Sequence, residues 1–209
     1  MLAIIDYGMG NVRSVINAFE ALDAPVVLTS DVQEIDNAKG IILPGVGAIG
    51  NCIAAISERN LFDILKKKVI EDGTPFLGLC VGMQMLASRG NEHGSHEALG
   101  FIPGTVDLMK IPQDRPDVQL PHIGWNTVRF LKKDGLYSGM GDQADFYFVH
   151  SYAMHPESPE VISGECDHGT NFVASIEYEN IWATQFHPEK SHKNGLALLS
   201  NFIRRTTSC

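Results

Sequence analysis

The sequence predicts an α/β fold with a mainly parallel central sheet, flanking helices and a more antiparallel C-terminal half. Three observations lead there. Short apolar runs alternate with helical patterns over roughly the first hundred residues, as βα units of a parallel sheet do. Glycine-rich turns follow the apolar runs, at Gly8 and Gly10, at Gly45 and Gly47, and around Cys80. After Gly100 short segments dominate, several of them alternating apolar and polar residues.

Residues 2–5 read as a buried strand, 6–11 as a turn and 12–22 as a helix. Gly8 and Gly10 hint at a dinucleotide fingerprint, but Arg13 stands where its third glycine belongs, so no nicotinamide or flavin role is expected. A second strand covers residues 25–29, and a third, 40–43, ends in Pro44-Gly45-Val46-Gly47. Leu61, Phe62, Ile64, Leu65, Val69 and Ile70 recur at helical spacing ahead of the strand that reaches Cys80. Ligands of such sheets bind at the C-terminal ends of the strands, where residues 44–47 and Cys80 both lie. The later segments are 101–106, 123–130, 146–152, 161–166, 171–177 and 181–186, with a last helix over 196–205. In 171–177, Phe172, Ala174 and Ile176 are set against Val173, Ser175 and Glu177. Residues 88–99 and 110–119 are polar and read as loops; no repeat is visible, and one domain is expected over 1–209.

With 209 residues and 44% hydrophobic content the chain can bury a full core. A net charge of -9 argues against nucleic-acid and anionic-membrane partners, which require a basic patch. Cys52, Cys80, Cys166 and Cys209 show neither paired nor metal-ligand spacing, so neither a disulfide framework, a metal nor a cofactor is expected. The uncharged run 40–57 is too short and too broken by proline and glycine to span a bilayer, and the apolar start ends at Asp6 without basic residues before it. A cytoplasmic protein is the expectation.

The stretch 75–86 is an apolar strand running into a helix through Gly78-Leu79-Cys80-Val81-Gly82. Glycines two residues either side of Cys80 remove the side chains that would collide in a sharp strand-to-helix turn, a nucleophile elbow. A cysteine at a helix N-terminus meets unpaired N–H groups and a favourable dipole, which lower a thiol from its ordinary pKa of about 8.5. The N–H of Val81 follows the nucleophile and is placed to hold an oxyanion. A strand-end cysteine is also commonly a small buried hydrophobe, so the elbow requires a base elsewhere.

His187 supplies it. His93, His96 and His168 lie in polar loops, and His155 and His192 sit beside turn residues, whereas His187 ends the stretch 182–186 and precedes Pro188 and Glu189. A residue before proline is held extended, and residues two apart in an extended chain point to the same side. Glu189 can therefore orient the His187 ring, the arrangement a cysteine nucleophile needs.

Together the elbow cysteine, the Pro44-Gly45-Val46-Gly47 loop and the His187-Pro188-Glu189 terminus resemble the triad (class I) glutamine amidotransferases, whose fold is flavodoxin-like. The resemblance implies a glutaminase that attacks the side-chain amide of L-glutamine, forms a glutamyl thioester, and releases ammonia and then glutamate. Carried over, Cys80 is the nucleophile, His187 the base and later the acid, and Glu189 the orienter. Gly45 and Gly47 match the glycine-rich oxyanion strand, with Val46 or Gly47 as second donor; Gln84, Val149, Ser151 and Tyr152, with Gly45 and Gly47, match substrate-binding positions.

The stretches 6–11, 43–48, 121–126, 148–152 and 185–191 look in particular like the glutaminase subunits of imidazole glycerol phosphate synthases. That resemblance implies a heterodimer with a separate (β/α)8-barrel cyclase, which uses the ammonia to make imidazole glycerol phosphate and aminoimidazole carboxamide ribotide in histidine biosynthesis. It puts Asn11, Trp125 and Lys190 on the cyclase face. Ala153, where an aromatic is expected, and the polar loop 91–97 depart from the pattern. A pyridoxal phosphate synthase glutaminase would keep the triad but lack 121–126 and the lysine after Glu189. A free-standing cysteine hydrolase or an inactive interaction module is the reading from another class.

Overall fold

The computed structural model describes residues 1–207; Ser208 and the fourth cysteine, Cys209, lie outside the described residues. The first half runs β1 (Leu2–Ile5), α1 (Val12–Glu20), β2 (Val26–Thr29), α2 (Val32–Asp36), β3 (Ile41–Gly45), α3 (Ile49–Glu58), α4 (Phe62–Lys66), β4 (Phe76–Cys80) and α5 (Val81–Gln84). The second half runs β5 (Arg89–Gly90), β6 (His96–Glu97), β7 (Gly104–Leu108), β8 (His122–Phe130), β9 (Gln143–His150), β10 (Tyr152–Pro156), β11 (Ile162–Asp167), β12 (Asn171–Tyr178), β13 (Ile181–Thr184) and α6 (His192–Thr207).

Nine strands form one sheet in the order β2-β1-β3-β4-β13-β12-β11-β8-β9. Its pairings are parallel from β2 to β13 and antiparallel from β13 to β9. The switch falls at β13, the strand that leads to His187. A four-stranded sheet, β10-β7-β5-β6, lies apart from it.

Two-residue alternation sends the strand side chains into two apolar layers. Ile41 and Leu43 of β3 face α2, α3 and α4 with Ile35, Cys52, Ile56 and Leu65. Ile42, Leu77 and Leu79 face α1 and α6 with Val15, Phe19, Leu198 and Phe202. Burying each such side chain contributes about 1.5–3 kcal/mol, enough to fix the register of a strand whose one-residue slip would exchange both faces.

Several elements differ from those expected. The segment expected over 146–152 is two strands: the chain leaves the large sheet after His150 and enters the small one at Tyr152, which makes Ser151 a corner. In β12 the residues Phe172 to Ile176 are all buried, polar Ser175 included, because β12 lies inside the sheet with β10 against it. The helix after Cys80 is a single turn, and α4 passes into a π turn over Lys67–Glu71. The loop 88–99 contributes β5 and β6. Among the described residues, no helix is long and apolar enough to cross a membrane.

Candidate active site

Cys80 has φ 55 and ψ -110, a conformation that ordinary side chains avoid. The flanking glycines explain how it is reached. A Cβ at Gly78 would lie 2.8 Å from the Gly82 carbonyl oxygen, and one at Gly82 would lie 1.8 Å from that of Leu43. The backbones of β3, β4 and α5 pack too closely for any side chain there. Gly45, at the end of β3, is held in the same way, since a Cβ on it would sit 2.9 Å from Gly82 N, Tyr7 Oη and Val81 Cβ.

The elbow opens into a cavity of about 370 Å³, an ordinary size for a small-molecule site. Its wall includes Val46, Gly47, Cys80, Val81, Gln84, Val149, Ser151, Tyr152 and His187. The expected substrate and oxyanion positions thus converge on one cavity, except Gly45, which lies behind the elbow in a crevice with Asn11, His187 and Glu189. Gly47 has φ +93, and its loop is pinned where the Val46 carbonyl accepts from Cys52 Sγ at 3.6 Å.

His187 Nδ1 lies 2.7 Å from Glu189 Oε1, and both side chains are nearly inaccessible, 3% and 2% exposed. The turn that holds them is fastened to β9. His187 N donates to Tyr147 O at 2.9 Å, while Ser191 Oγ donates to His187 O at 2.6 Å and accepts from Tyr147 N at 3.0 Å. Burial by itself would push the ring down, but the neighbouring Cys80 and Glu189 outweigh it and raise His187 to about 10. The ring carries its proton at neutral pH. Burial pushes Cys52 up to about 11 and Cys166 up to about 12, so both stay thiols. Of the three described cysteines, Cys80 alone lines the cavity.

Several residues at the site have no sequence signal of their own. Glu92 and His93 line the cavity from the polar loop 88–99, and Glu92 Oε2 accepts from Ile49 N at 2.9 Å, capping α3 from 43 positions away. Gln185 reaches Cys80 Sγ at 3.7 Å. His122 stacks on His168, ring centroids 4.0 Å apart, and its Nδ1 lies 3.1 Å from His150 Nε2. Asn11 and Trp125 are exposed and away from the cavity; Lys190 shares a shallow groove with Ser14, Asn17 and His192. Trp125 lies flat on His192, centroids 5.2 Å apart and planes 5° from parallel.

An elbow cysteine facing a buried His–Glu pair on this sheet defines the class. The family described as glutamine amidotransferase class-I matches residues 3–206, and the chain belongs to it. The chain is 45% identical over 203 residues to the imidazole glycerol phosphate synthase subunit HisH of Aquifex aeolicus, covering 97% of this chain and 95% of that one. It is 41% identical over 213 residues to subunit HisH of Nitrosomonas europaea, covering 98% of each. At the level of fold, PurLQS from Thermotoga maritima superposes with a TM-score of 0.73 at 17% identity, covering 98% of this chain and 97% of that one.

Proposed function

We propose that this chain is the glutaminase subunit of an imidazole glycerol phosphate synthase: it hydrolyses L-glutamine to glutamate and ammonia for a separate cyclase of (β/α)8-barrel form. The observation that carries the chemistry is Cys80 and His187 at the wall of one cavity, with Glu189 bonded to His187 Nδ1. The near full-length likeness to HisH subunits supports the choice of amidotransferase. The match over 3–206 supports reading the chain as one amidotransferase domain, and its free cysteines suit a cytoplasmic enzyme.

Cys80 attacks the side-chain carbonyl of glutamine, and the N–H of Val81, with that of Val46 or Gly47, receives the oxyanion. His187 gives its proton to the leaving ammonia, and the neutral ring then takes one from the water that cleaves the thioester. Glu189, held at Nδ1, stabilises the ring while it is charged. Gln84 Nε2 is committed to Tyr152 O at 3.1 Å and Gln185 Oε1 at 3.0 Å, which leaves Gln84 Oε1 to meet the substrate.

The test separates the two half-reactions. With the cyclase present, Cys80→Ser should abolish synthesis from glutamine while synthesis from added ammonium salts survives. Equal loss of both would show that Cys80 is not a dedicated glutaminase nucleophile.

A further inference from the structure

Gln185 is fully buried, stands outside the triad and places its amide against the nucleophile, Nε2 lying 3.7 Å from Cys80 Sγ. Which end of that amide faces sulfur follows from its neighbours. A backbone carbonyl only accepts, so the Gln84 atom 3.1 Å from Tyr152 O is the amino nitrogen. The same nitrogen lies 3.0 Å from Gln185, which must answer with Oε1. Its own amino group is left for Cys80.

The polarity is anchored farther out as well. His150 Nδ1 lies 2.8 Å from the Tyr152 carbonyl and so carries hydrogen; its Nε2 then accepts from His122 Nδ1 at 3.1 Å. His122 Nε2 in turn accepts from Asn126 Nδ2 at 3.2 Å. Two neutral rings satisfy this chain and no reversed order does, because it ends on an obligate acceptor.

We propose that Gln185 is a positioning residue for the nucleophile: its Nε2–H donates to the Cys80 sulfur, steadying it as an anion. Gln84 and the Tyr152 carbonyl lock the amide against turning its oxygen toward that anion. Hydrogen bonding to the charged form of a group favours that form. The inference rests on Cys80 as nucleophile and not on which substrate it attacks.

The test is the pH dependence of the rate at which iodoacetamide alkylates Cys80 in the full chain, read by mass spectrometry. It is paired with kcat and KM for glutamine in the presence of the cyclase. Gln185→Met keeps length and removes the donor, and should move the midpoint of the alkylation profile up by about one pH unit, the scale of one hydrogen bond to a charged group. KM should stay within about twofold. A residue that only packs would act otherwise: Cys80 is 4% exposed, so a loosened site would be alkylated faster at every pH with the midpoint in place. An unmoved or lowered midpoint overturns the proposal. Should Gln185→Met fail to fold by circular dichroism, Gln84→Met decides instead, since it frees the Gln185 amide to turn; a raised midpoint supports the lock, and an unmoved or lowered one overturns it. Failure of the glutaminase reading would show in the parent's kcat, and failure of this one in the midpoint.

Discussion

At Gly82 the distance of 1.8 Å from a would-be Cβ to the Leu43 carbonyl oxygen leaves no rotamer to adjust, because backbone meets backbone. Gly82→Ala should cost at least about 3 kcal/mol, roughly 6–12 °C in Tm for a chain of this size. Gly73→Ala is the control: nothing lies within 4 Å and only its φ of +67 is strained, so thermal melts should show about 1 kcal/mol lost. Gly47→Ala meets only Met9 Cε at 3.6 Å, and with φ +93 it tests the loop's conformation rather than its space. At the triad, His187→Ala should lower kcat by 10²–10⁴-fold, and Glu189→Gln by less, since an amide oxygen can still accept from Nδ1. Because the Glu189 carboxylate helps hold His187 up near 10, its neutralisation should move the alkaline limb of the kcat/KM profile to lower pH. An unmoved limb would show that the carboxylate does not act on the ring.

Elements rather than single residues set the response of stability to pH. Burial first, then the neighbouring His150 and His168, pushes His122 down to about 3; burial, against the bond to Tyr152 O, pushes His150 down to about 4. Both rings sit on β8 and β9, between Phe148 and Phe172. Their folded values are depressed, so the unfolded chain takes up protons first as pH falls. Their stability is whole above about 6.5 and is lost between there and about 3–4. His187 is the opposite case: its contribution is whole below about 6.5 and is lost as pH rises through about 10. Tm should therefore peak near pH 6.5, with the acid limb flattened in His122→Phe and the alkaline limb in His187→Ala. Carboxylates held low by hydrogen bonds, as Asp107 is by Thr105 and Asn91, act only below about pH 4. What the sequence made legible follows the same division. The elbow, the His-Pro-Glu turn and the βα half are written in neighbouring residues, where glycine, proline and period act locally. The histidine stack, the Glu92 cap and the Gln185 contact join residues 28 to 105 positions apart, and they exist only because the fold sets β8 beside β9, the 91–95 loop against α3, and β13 beside β4.

For the molecule as a whole, the loop proposed for the second oxyanion donor is held by one weak donor, Cys52 Sγ on the Val46 carbonyl. Val46 and Gly47 are exposed at the cavity rim, and a turned peptide plane there would offer a carbonyl where an N–H is needed. The isolated chain should hydrolyse glutamine slowly. Cyclase with bound nucleotide should raise kcat by 10²–10³, the worth of one oxyanion donor, with less change in KM; full turnover by the chain alone, measured as glutamate release, would sink this. The face proposed for the cyclase, with Asn11, Trp125 and Lys190, holds its own reporter. The sequence has two tryptophans, of which Trp182 is 6% exposed and packs on Phe202, while Trp125 is 49% exposed and lies against His192. One indole is therefore a constant background and the other an optical probe on that proposed face. Withdrawing water from Trp125 should shift the chain's emission to the blue as the complex forms, so that affinity can be titrated on unlabelled protein, with Trp125→Phe as the silent control.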